Sequence, residues 1–161
     1  MDNMITVGIS DMKIGNSENI LATYALGSYV GICIYDPIRK IGALGHILLP
    51  NSSSSPNQTN KYKFADTCIP EMVNTLLQKG CSKRNLTAKI AGGASMFEVS
   101  GDSAISNIGQ RNVRSVQEVL RAQQIKIFAE DVGLNYGRTV FFHLNDGSVH
   151  VKSFAKGLKV L

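Results

Sequence analysis

The sequence has 161 residues, 43% of them hydrophobic and 18% charged, which fits one globular domain with a buried core. No apolar run is long enough to cross a membrane and no signal peptide is visible, so we expect a cytoplasmic protein without membrane insertion. The net charge of +5 is mild and the basic residues are scattered, which argues against nucleic-acid binding. The three cysteines form no CxxC pair, which excludes a zinc ribbon and a disulfide framework and favours a reducing compartment.

The first third of the chain predicts short β-strands. Hydrophobic patterning favours strands over residues 5–9, 20–26, 29–35 and 41–49. Asp36-Pro37 indicates a turn between the last two, which we interpret as a β-hairpin. Residues 51–63, rich in serine and asparagine, are typical of a mobile surface loop within a single domain that spans residues 1–161.

The clearest helix follows this loop. Its apolar residues recur at helical spacing: Ala65, Cys68, Ile69, Met72, Val73, Leu76 and Leu77. We expect Asp66 or Thr67 to cap its start, Pro70 to fall near the first turn and Gly80 to end it.

The second half predicts strands, one helix and a hairpin. Strands are expected over residues 86–91 and 125–129, with a helix over 110–123 that buries Val113, Val116, Val119 and Leu120. Asp146-Gly147 suits a type I′ turn between strands at 138–144 and 148–154. The pattern predicts an α+β or layered α/β sandwich, with a mixed, largely antiparallel sheet and two main helices.

Two clusters have simple structural interpretations. Gly92-Gly93-Ala94-Ser95 fits neither GxGxxG nor a P-loop, so a tight turn or a pocket wall is favoured over a phosphate site. A two-residue turn at Asp146-Gly147 pairs His143 with His150, but no third ligand is obvious. We therefore expect a solvated sheet face, no metal and no cofactor. Cys68 and Cys81 are expected to be buried, structural thiols.

His46 is the strongest candidate for chemistry. The predicted hairpin places it opposite the Tyr29–Gly31 end of the preceding strand, and Thr23 can reach the same end. A nucleophile, a histidine base and a third group that orients the base form the general arrangement for acyl-type chemistry. A cysteine at position 29 would complete that arrangement, but the residue is tyrosine.

The segments around these residues resemble the bacterial chemoreceptor glutamine deamidase family, CheD. Residues 23–31, TYALGSYVG, are similar to the family's T-x-x-LGSCVG segment apart from the cysteine, and residues 45–50, GHILLP, to its histidine-plus-LP segment. Further matching segments are Lys61-Tyr62, Asp66-Thr67, and residues 88–97, 108–112 and 130–133. Leu134 stands where the family usually has a second glycine.

The resemblance implies a layered fold related to the catalytic domain of cytotoxic necrotizing factor toxins. It also implies hydrolysis of receptor glutamine side-chain amides to glutamate by a Cys-His-Thr triad, with chemoreceptor cytoplasmic domains and the phosphatase CheC as partners. Carried onto this chain, His46 is the general base, Thr23 orients it, and Tyr29 occupies the nucleophile position. The substrate pocket would include Gly27, Ser28, Gly92, Gly93 and Ser95, with backbone N–H groups near Ser28 and Tyr29 as oxyanion donors.

Tyr29 opens two alternatives. The chain is either a working glutamine deamidase or a catalytically silent binding module that docks receptors or a CheC-like phosphatase. Direct catalysis by the phenol is disfavoured, because its pKa of about 10 leaves little phenolate and its oxygen lies several bonds too far out. Cys33 is four residues further along the strand, about 13 Å away at roughly 3.3 Å per residue, too far to share His46.

Overall fold

The computed structural model describes residues 3–54, 59–95 and 107–161. The expected mobile loop falls partly outside these ranges, at residues 55–58, as do Met96 and Phe97 of the matching segments. Among the described residues, no helix is long and apolar enough to cross a membrane.

In the part of the chain that the structure describes, ten strands form two five-stranded sheets. Sheet A contains, in spatial order, β1 (Met4–Thr6), β3 (Ile20–Leu26), β8 (Arg138–His143), β9 (Val149–Ser153) and β10 (Gly157–Val160). Sheet B contains β2 (Asp11–Gly15), β5 (Ile41–Ile47), β4 (Val30–Asp36), β6 (Thr87–Gly92) and β7 (Lys126–Val132). The pairs β1–β3 and β6–β7 are parallel, and the others are antiparallel.

Helices α1 (Ala65–Gln78) and α2 (Ile108–Ala122) pack on sheet B. One hydrophobic core lies between these helices and sheet B, and a second lies between the two sheets. Strand β4 contributes Ile32 and Ile34 to the first core and Cys33 and Tyr35 to the second, so every residue of this strand is buried. The predicted fold class is confirmed: a layered α+β structure with two helices and largely antiparallel sheets.

Two edge strands, β2 and β10, were missed by the sequence patterning. Strand β2 contains Asp11 and Lys13, and all four residues of β10 are exposed. Both strands alternate apolar and polar residues, with Met12 and Ile14 in β2 and Leu158 and Val160 in β10, but they are only five and four residues long. Pairing with β5 and β9 completes the two sheets at these edges.

Helix α1 ends as expected and begins differently. Gly80 has φ +94°, and the N–H groups of Gly80 and Cys81 donate to Leu77 O and Leu76 O, which is a Schellman motif. The predicted side-chain cap is wrong, because Phe64 occupies the N-cap and forms no side-chain cap bond. The Asp66 carboxylate instead accepts hydrogen bonds from Ser52 N and Oγ, both at 3.0 Å.

The position of Pro70 in α1 and the hydrogen bond of the Thr67 hydroxyl also differ from the prediction. Pro70 lies inside α1 rather than in its first turn. The Thr67 hydroxyl donates to Lys61 O at 2.6 Å and so joins the helix start to the preceding 3₁₀ turn, Lys61–Lys63.

The predicted register of the β8–β9 hairpin is also wrong. Phe141, not His143, pairs with His150, and His143 N donates to Ser148 O at 2.9 Å. The connection between β8 and β9 is longer than two residues, and within it Gly147 takes φ +80° against the Tyr35 ring. His143 and His150 remain diagonal neighbours, with ring centroids 4.1 Å apart. Among the described residues, no three His, Cys, Asp or Glu side chains form a cluster that could hold a metal.

Candidate active site

A β-bulge in β3 places Thr23 at one end of the space between the sheets. Thr23 pairs with Val140 and Leu26 pairs with Arg138, so two residues of β3 oppose one of β8. Within this bulge Ala25 has φ +60°, a left-handed conformation that is strained for any residue other than glycine. The bulge ends regular pairing immediately after Thr23, whose side chain is fully buried.

His46 reaches the same space from β5 in sheet B. Its register partner on β4 is Gly31, which confirms the predicted hairpin geometry. A Cβ atom on Gly31 would lie 3.2 Å from Leu26 Cδ1 and 3.7 Å from Thr23 Cγ2. Glycine at this position therefore lets β3 of sheet A approach β4, the strand paired with β5, which carries His46.

Thr23 and His46 are joined by a buried hydrogen bond. Thr23 Oγ1 lies 2.7 Å from His46 Nδ1 and 2.8 Å from Val7 O. A carbonyl oxygen only accepts, so the single hydroxyl proton of Thr23 goes to Val7, and His46 Nδ1–H must donate to Thr23. We infer that His46 carries its proton on Nδ1, which leaves the Nε2 lone pair free to act as a base.

The environment of His46 keeps the imidazole neutral. His46 is fully buried, and Nε2 has no hydrogen-bond partner among the described residues. Burial lowers the pKa of His46 to about 4, because the imidazolium would lose its hydration. At neutral pH the ring is therefore unprotonated and can accept a proton.

Tyr29 lies directly beside this histidine. The two rings meet edge to face, with centroids 5.7 Å apart and an interplanar angle of 63°. Tyr29 is half-buried and packs against the core between the sheets. The structure therefore brings together Thr23, Tyr29 and His46, the three residues that the sequence singles out for catalysis.

The turn that leads into Tyr29 is held through its carbonyl groups. Gly27 O accepts from Ala94 N at 2.8 Å, Ser28 O from Asn112 Nδ2 at 2.9 Å, and Tyr29 O from Gly93 N at 2.8 Å. In a trans peptide the N–H points opposite to the preceding C=O. The N–H groups of Ser28 and Tyr29 therefore point away from Ala94 and Asn112.

Two glycines allow the segment at the end of β6 to pack closely against the turn at residues 27–29 and against α2. Gly92 and Gly93 have φ +113° and +69°. A Cβ atom on Gly92 would overlap Tyr29 O, and one on Gly93 would overlap Val113 Cγ2. Ser95 N donates to Leu134 O at 2.8 Å, which links this segment to the turn after β7. Gly92, Gly93 and Ser95 thus flank the turn at residues 27–29, and their part in a substrate pocket stays a prediction.

Asn112 is a site residue to which the sequence analysis gave no role. Its Nδ2 donates to Ser28 O at 2.9 Å and to Leu48 O at 2.8 Å, and the residue is fully buried. One side chain of α2 therefore joins the segment before Tyr29 to the segment after His46. Asparagine within the buried face of an amphipathic helix was the available signal, since such a side chain requires polar partners.

The three cysteines of the chain are all buried and free. Burial raises the pKa of Cys33, the pKa of Cys68 to about 12, and the pKa of Cys81 to about 11. A nucleophilic cysteine needs a lowered pKa and access to substrate. None of the three meets these requirements, and the expected burial of Cys68 and Cys81 is confirmed.

A family model described as CheD chemotactic sensory transduction matches residues 48–153. The chain belongs to the CheD family. One relative, from Caldanaerobacter subterraneus subsp. tengcongensis, is named "Probable chemoreceptor glutamine deamidase CheD". It is 46% identical to this chain over 158 residues, which are 98% of each chain. A relative of the same name from Syntrophomonas wolfei is 42% identical over 161 residues, 100% of each chain. These CheD relatives cover the region of Thr23, Tyr29 and His46, which the family model does not.

Solved structures are similar to this CheD chain at low sequence identity. The Bacillus licheniformis hypothetical protein YfiH aligns with a TM-score of 0.50 and 13% identity over 78% of this chain, which spans about half (51%) of that protein. The C-terminal domain of CNFy from Yersinia pseudotuberculosis aligns with a TM-score of 0.40 and 12% identity, covering 98% of this chain and 61% of that domain. The likeness to YfiH concerns the fold alone.

Proposed function

We propose that this CheD chain acts in cytoplasmic chemotaxis signalling by binding the cytoplasmic domains of chemoreceptors, and that Tyr29 leaves it catalytically silent. Family membership and the names of the relatives support the receptor as partner. The observation that carries the proposal is the pairing of a neutral, buried His46–Thr23 unit with an aromatic ring in place of a thiol. The scaffold retains the base and lacks the nucleophile.

A cysteine at position 29 would allow this scaffold to hydrolyse the side-chain amide of a receptor glutamine. In a Tyr29→Cys variant, His46 Nε2 would take the proton from Sγ, and the sulfur would attack the amide carbon of a receptor glutamine. Collapse of the tetrahedral intermediate releases ammonia, which receives the proton from His46, and leaves a thioester. Water, deprotonated by His46, then hydrolyses the thioester to glutamate and regenerates the thiol. Thr23 keeps the histidine proton on Nδ1 throughout.

Backbone N–H groups would stabilise the oxyanion of that intermediate. The N–H groups of Ser28 and Tyr29 point away from the side of the turn held by Asn112 and Ala94. Preorganised backbone donors of this kind are worth about 3 to 4 kcal/mol in acyl-transfer enzymes. This reaction requires no metal and no cofactor.

A second candidate is that the chain hydrolyses receptor glutamines as it stands. The retained Thr23–His46 pair favours it, since a neutral buried histidine can activate water directly. The phenol of Tyr29 is a poor substitute for the thiol, because its ring lies against the histidine and its oxygen is several bonds further from the backbone than a cysteine sulfur would be. Binding without hydrolysis is therefore the better supported function.

The test is intact-mass analysis of a chemoreceptor cytoplasmic fragment incubated with each protein. The unmodified chain is expected to bind the fragment and leave its mass unchanged, whereas Tyr29→Cys is expected to convert amide to acid. Tyr29→Cys combined with His46→Ala is the matched control and should be inactive. Hydrolysis by the unmodified chain that is lost on His46→Ala would establish the second candidate instead.

A CheC-like phosphatase is the second partner that we propose. It follows from the family resemblance at residues 23–31 and 45–50. Co-purification of such a phosphatase with this chain, measured against a chain carrying Asn112→Ala, tests whether the segments at Ser28 and Leu48 take part.

A further inference from the structure

The outer face of sheet A contrasts with that of sheet B. Both helices pack on sheet B, and no helix in the described part of the chain covers sheet A. Outward-facing residues of sheet A include Tyr24 and Phe141, whose rings meet edge to face at 5.9 Å, and Leu158, which is 55% exposed. The same face carries Thr139, His143, His150 and Lys152, so it combines exposed aromatic rings with polar and basic side chains.

An open groove of about 690 Å³ lies at the end of this sheet nearest the candidate active site. We call it the sheet A groove, and its lining residues are Ala25, residues 136–139 and residues 152–155. It is lined mostly by carbon atoms, and Phe154 at its rim is fully exposed. Its volume is typical of pockets that hold a ligand or the side chains of a partner segment.

The groove and the active site share one structural element. Ala25, which lines the groove, lies in the same bulge of β3 that ends regular pairing after Thr23. One residue, Tyr24, lies between Thr23 and Ala25, so their Cα atoms lie within about 7 Å of each other. Thr23 faces the space between the sheets and the groove lies on the outer face of sheet A, so a partner that fills the groove lies at the same end of β3 as the candidate active site.

The charge of the groove is positive. Lys152 lines it and is exposed, and Lys156 and Lys159 follow on the same segment. No aspartate or glutamate occurs between residues 147 and 161. The nearby Asp131 is buried and pairs with Arg138 at 3.2 Å and Lys159 at 3.7 Å, so its charge is neutralised.

We propose that the sheet A groove docks an acidic, amphipathic helix of the chemoreceptor cytoplasmic domain beside the glutamine-binding position. This inference rests on the function proposed above. Apolar residues of such a helix would fill the groove against Tyr136 and Phe154, and its carboxylates would meet Lys152 and Lys156. A second copy of this chain fits less well, because each copy carries a net charge of +5. A concave groove also suits a helix better than a flat membrane.

Photo-crosslinking separates this proposal from the function on which it rests. p-Benzoylphenylalanine is placed at Phe154 in the groove, at Tyr29 in the active site, and at Phe128, which is 59% exposed on β7 and outside the groove. Each full-length chain is irradiated with a purified chemoreceptor cytoplasmic fragment. We expect crosslinks from positions 154 and 29 and none from 128.

Three other patterns of crosslinking each overturn a defined claim. Crosslinks from position 29 alone would overturn the groove and leave the proposed function standing. Crosslinks from neither position 29 nor position 154 would overturn both. Equal crosslinking from positions 154 and 128 would show non-specific contact and would also overturn the groove.

Affinity for the same receptor fragment gives a second readout with matched controls. We expect Phe154→Ala and Lys152→Glu each to weaken binding about tenfold, with the loss for Lys152→Glu shrinking as salt is raised. Phe128→Ala and Lys83→Glu, equivalent changes at exposed positions outside the groove, should stay within about twofold of the unmodified chain. If all four variants bind alike, the groove is not the docking surface. If Lys152→Glu instead abolishes binding to anionic phospholipid vesicles and leaves receptor binding intact, the partner is a membrane.

Discussion

The β4–β5 and β8–β9 hairpins differ in how their register is determined. Every residue of β4 is buried, because β4–β5 lies between the helices and sheet A, whereas burial alternates along β8. A register shift in β4–β5 would exchange the side chains of two cores, so burial on both faces fixes one alignment. The β8–β9 pair has one partly solvated face, so burial constrains its register less. The β4–β5 hairpin carries His46, and the β8–β9 hairpin borders the groove.

Alanine substitutions at two glycines should differ most in how much they lower the free energy of unfolding. Gly92→Ala places a Cβ atom against Tyr29 O at φ +113° and should lower the free energy of unfolding by about 4 kcal/mol. Gly157→Ala, at φ +68° with nothing within 4 Å of the added atom, should cost only about 1 kcal/mol. Urea denaturation of both variants measures the difference. Equal losses would contradict the distinction between the two regions.

His46 should make stability depend on pH. Its folded pKa of about 4 lies below the unfolded value of 6.5, so the unfolded chain binds the extra proton first as pH falls. The stabilising contribution is fully present above pH 6.5, and about 3 kcal/mol of it is lost between there and pH 4.

His46→Gln tests this prediction. It should flatten the unfolding free energy over the same pH window, whereas His150→Gln on sheet A should leave the His46-dependent loss in place. NMR titration of His46 gives its pKa directly. A value near 6.5 would show that the ring is hydrated rather than buried.

Asn112 on α2 and Asn145 in the β8–β9 loop should contribute differently to the free energy of unfolding. Asn112→Ala removes hydrogen bonds to Ser28 O and Leu48 O and should cost about 2 kcal/mol in unfolding free energy. The exposed Asn145→Ala in the β8–β9 loop should stay within about 0.5 kcal/mol of the unmodified chain. In a Tyr29→Cys background, Asn112→Ala should also lower kcat more than it changes KM, since it loosens the segments that hold residues 29 and 46. An unchanged kcat would assign Asn112 a purely structural role.

The smallest expected effect concerns Leu134, where the family pattern has glycine. Leu134 has φ +60° and is 61% exposed, so its side chain gains little from packing. Leu134→Gly relieves a left-handed conformation and should raise stability by up to about 1 kcal/mol. Thermal unfolding measures the change, and a loss of stability would show that Leu134 packs against a partner group.

The part of the fold that follows from hydrophobic patterning was predictable from sequence. Residues 20–26 form β3 over the predicted range, and the short Asp36-Pro37 turn aligned His46 with Gly31. Edge strand β10 was missed because its residues are exposed, and the predicted β8–β9 register was wrong because the connection is longer than the two residues that Asp146-Gly147 indicated. The cap at Phe64 and the two bonds of Asn112 likewise depend on tertiary contacts that periodicity does not encode.

Within the candidate site, the sequence identified the residues and the structure supplied their relation. Thr23, Tyr29 and His46 were chosen from hairpin geometry and from the family resemblance. The proton arrangement could not be predicted, because it depends on Val7 O accepting the hydroxyl proton of Thr23. The bulge at Ala25, which separates Thr23 from Leu26, has no signal in the local sequence.

The most direct test of the central claim is receptor deamidation by the chain before and after Tyr29→Cys. Each protein is incubated with a chemoreceptor cytoplasmic fragment, and conversion of glutamine to glutamate is followed by mass spectrometry. Both proteins are expected to bind the fragment, and only Tyr29→Cys is expected to convert glutamine to glutamate. Adding His46→Ala to that variant should abolish the conversion. Hydrolysis by the unmodified chain, or a Tyr29→Cys variant that binds but stays inactive, would contradict it.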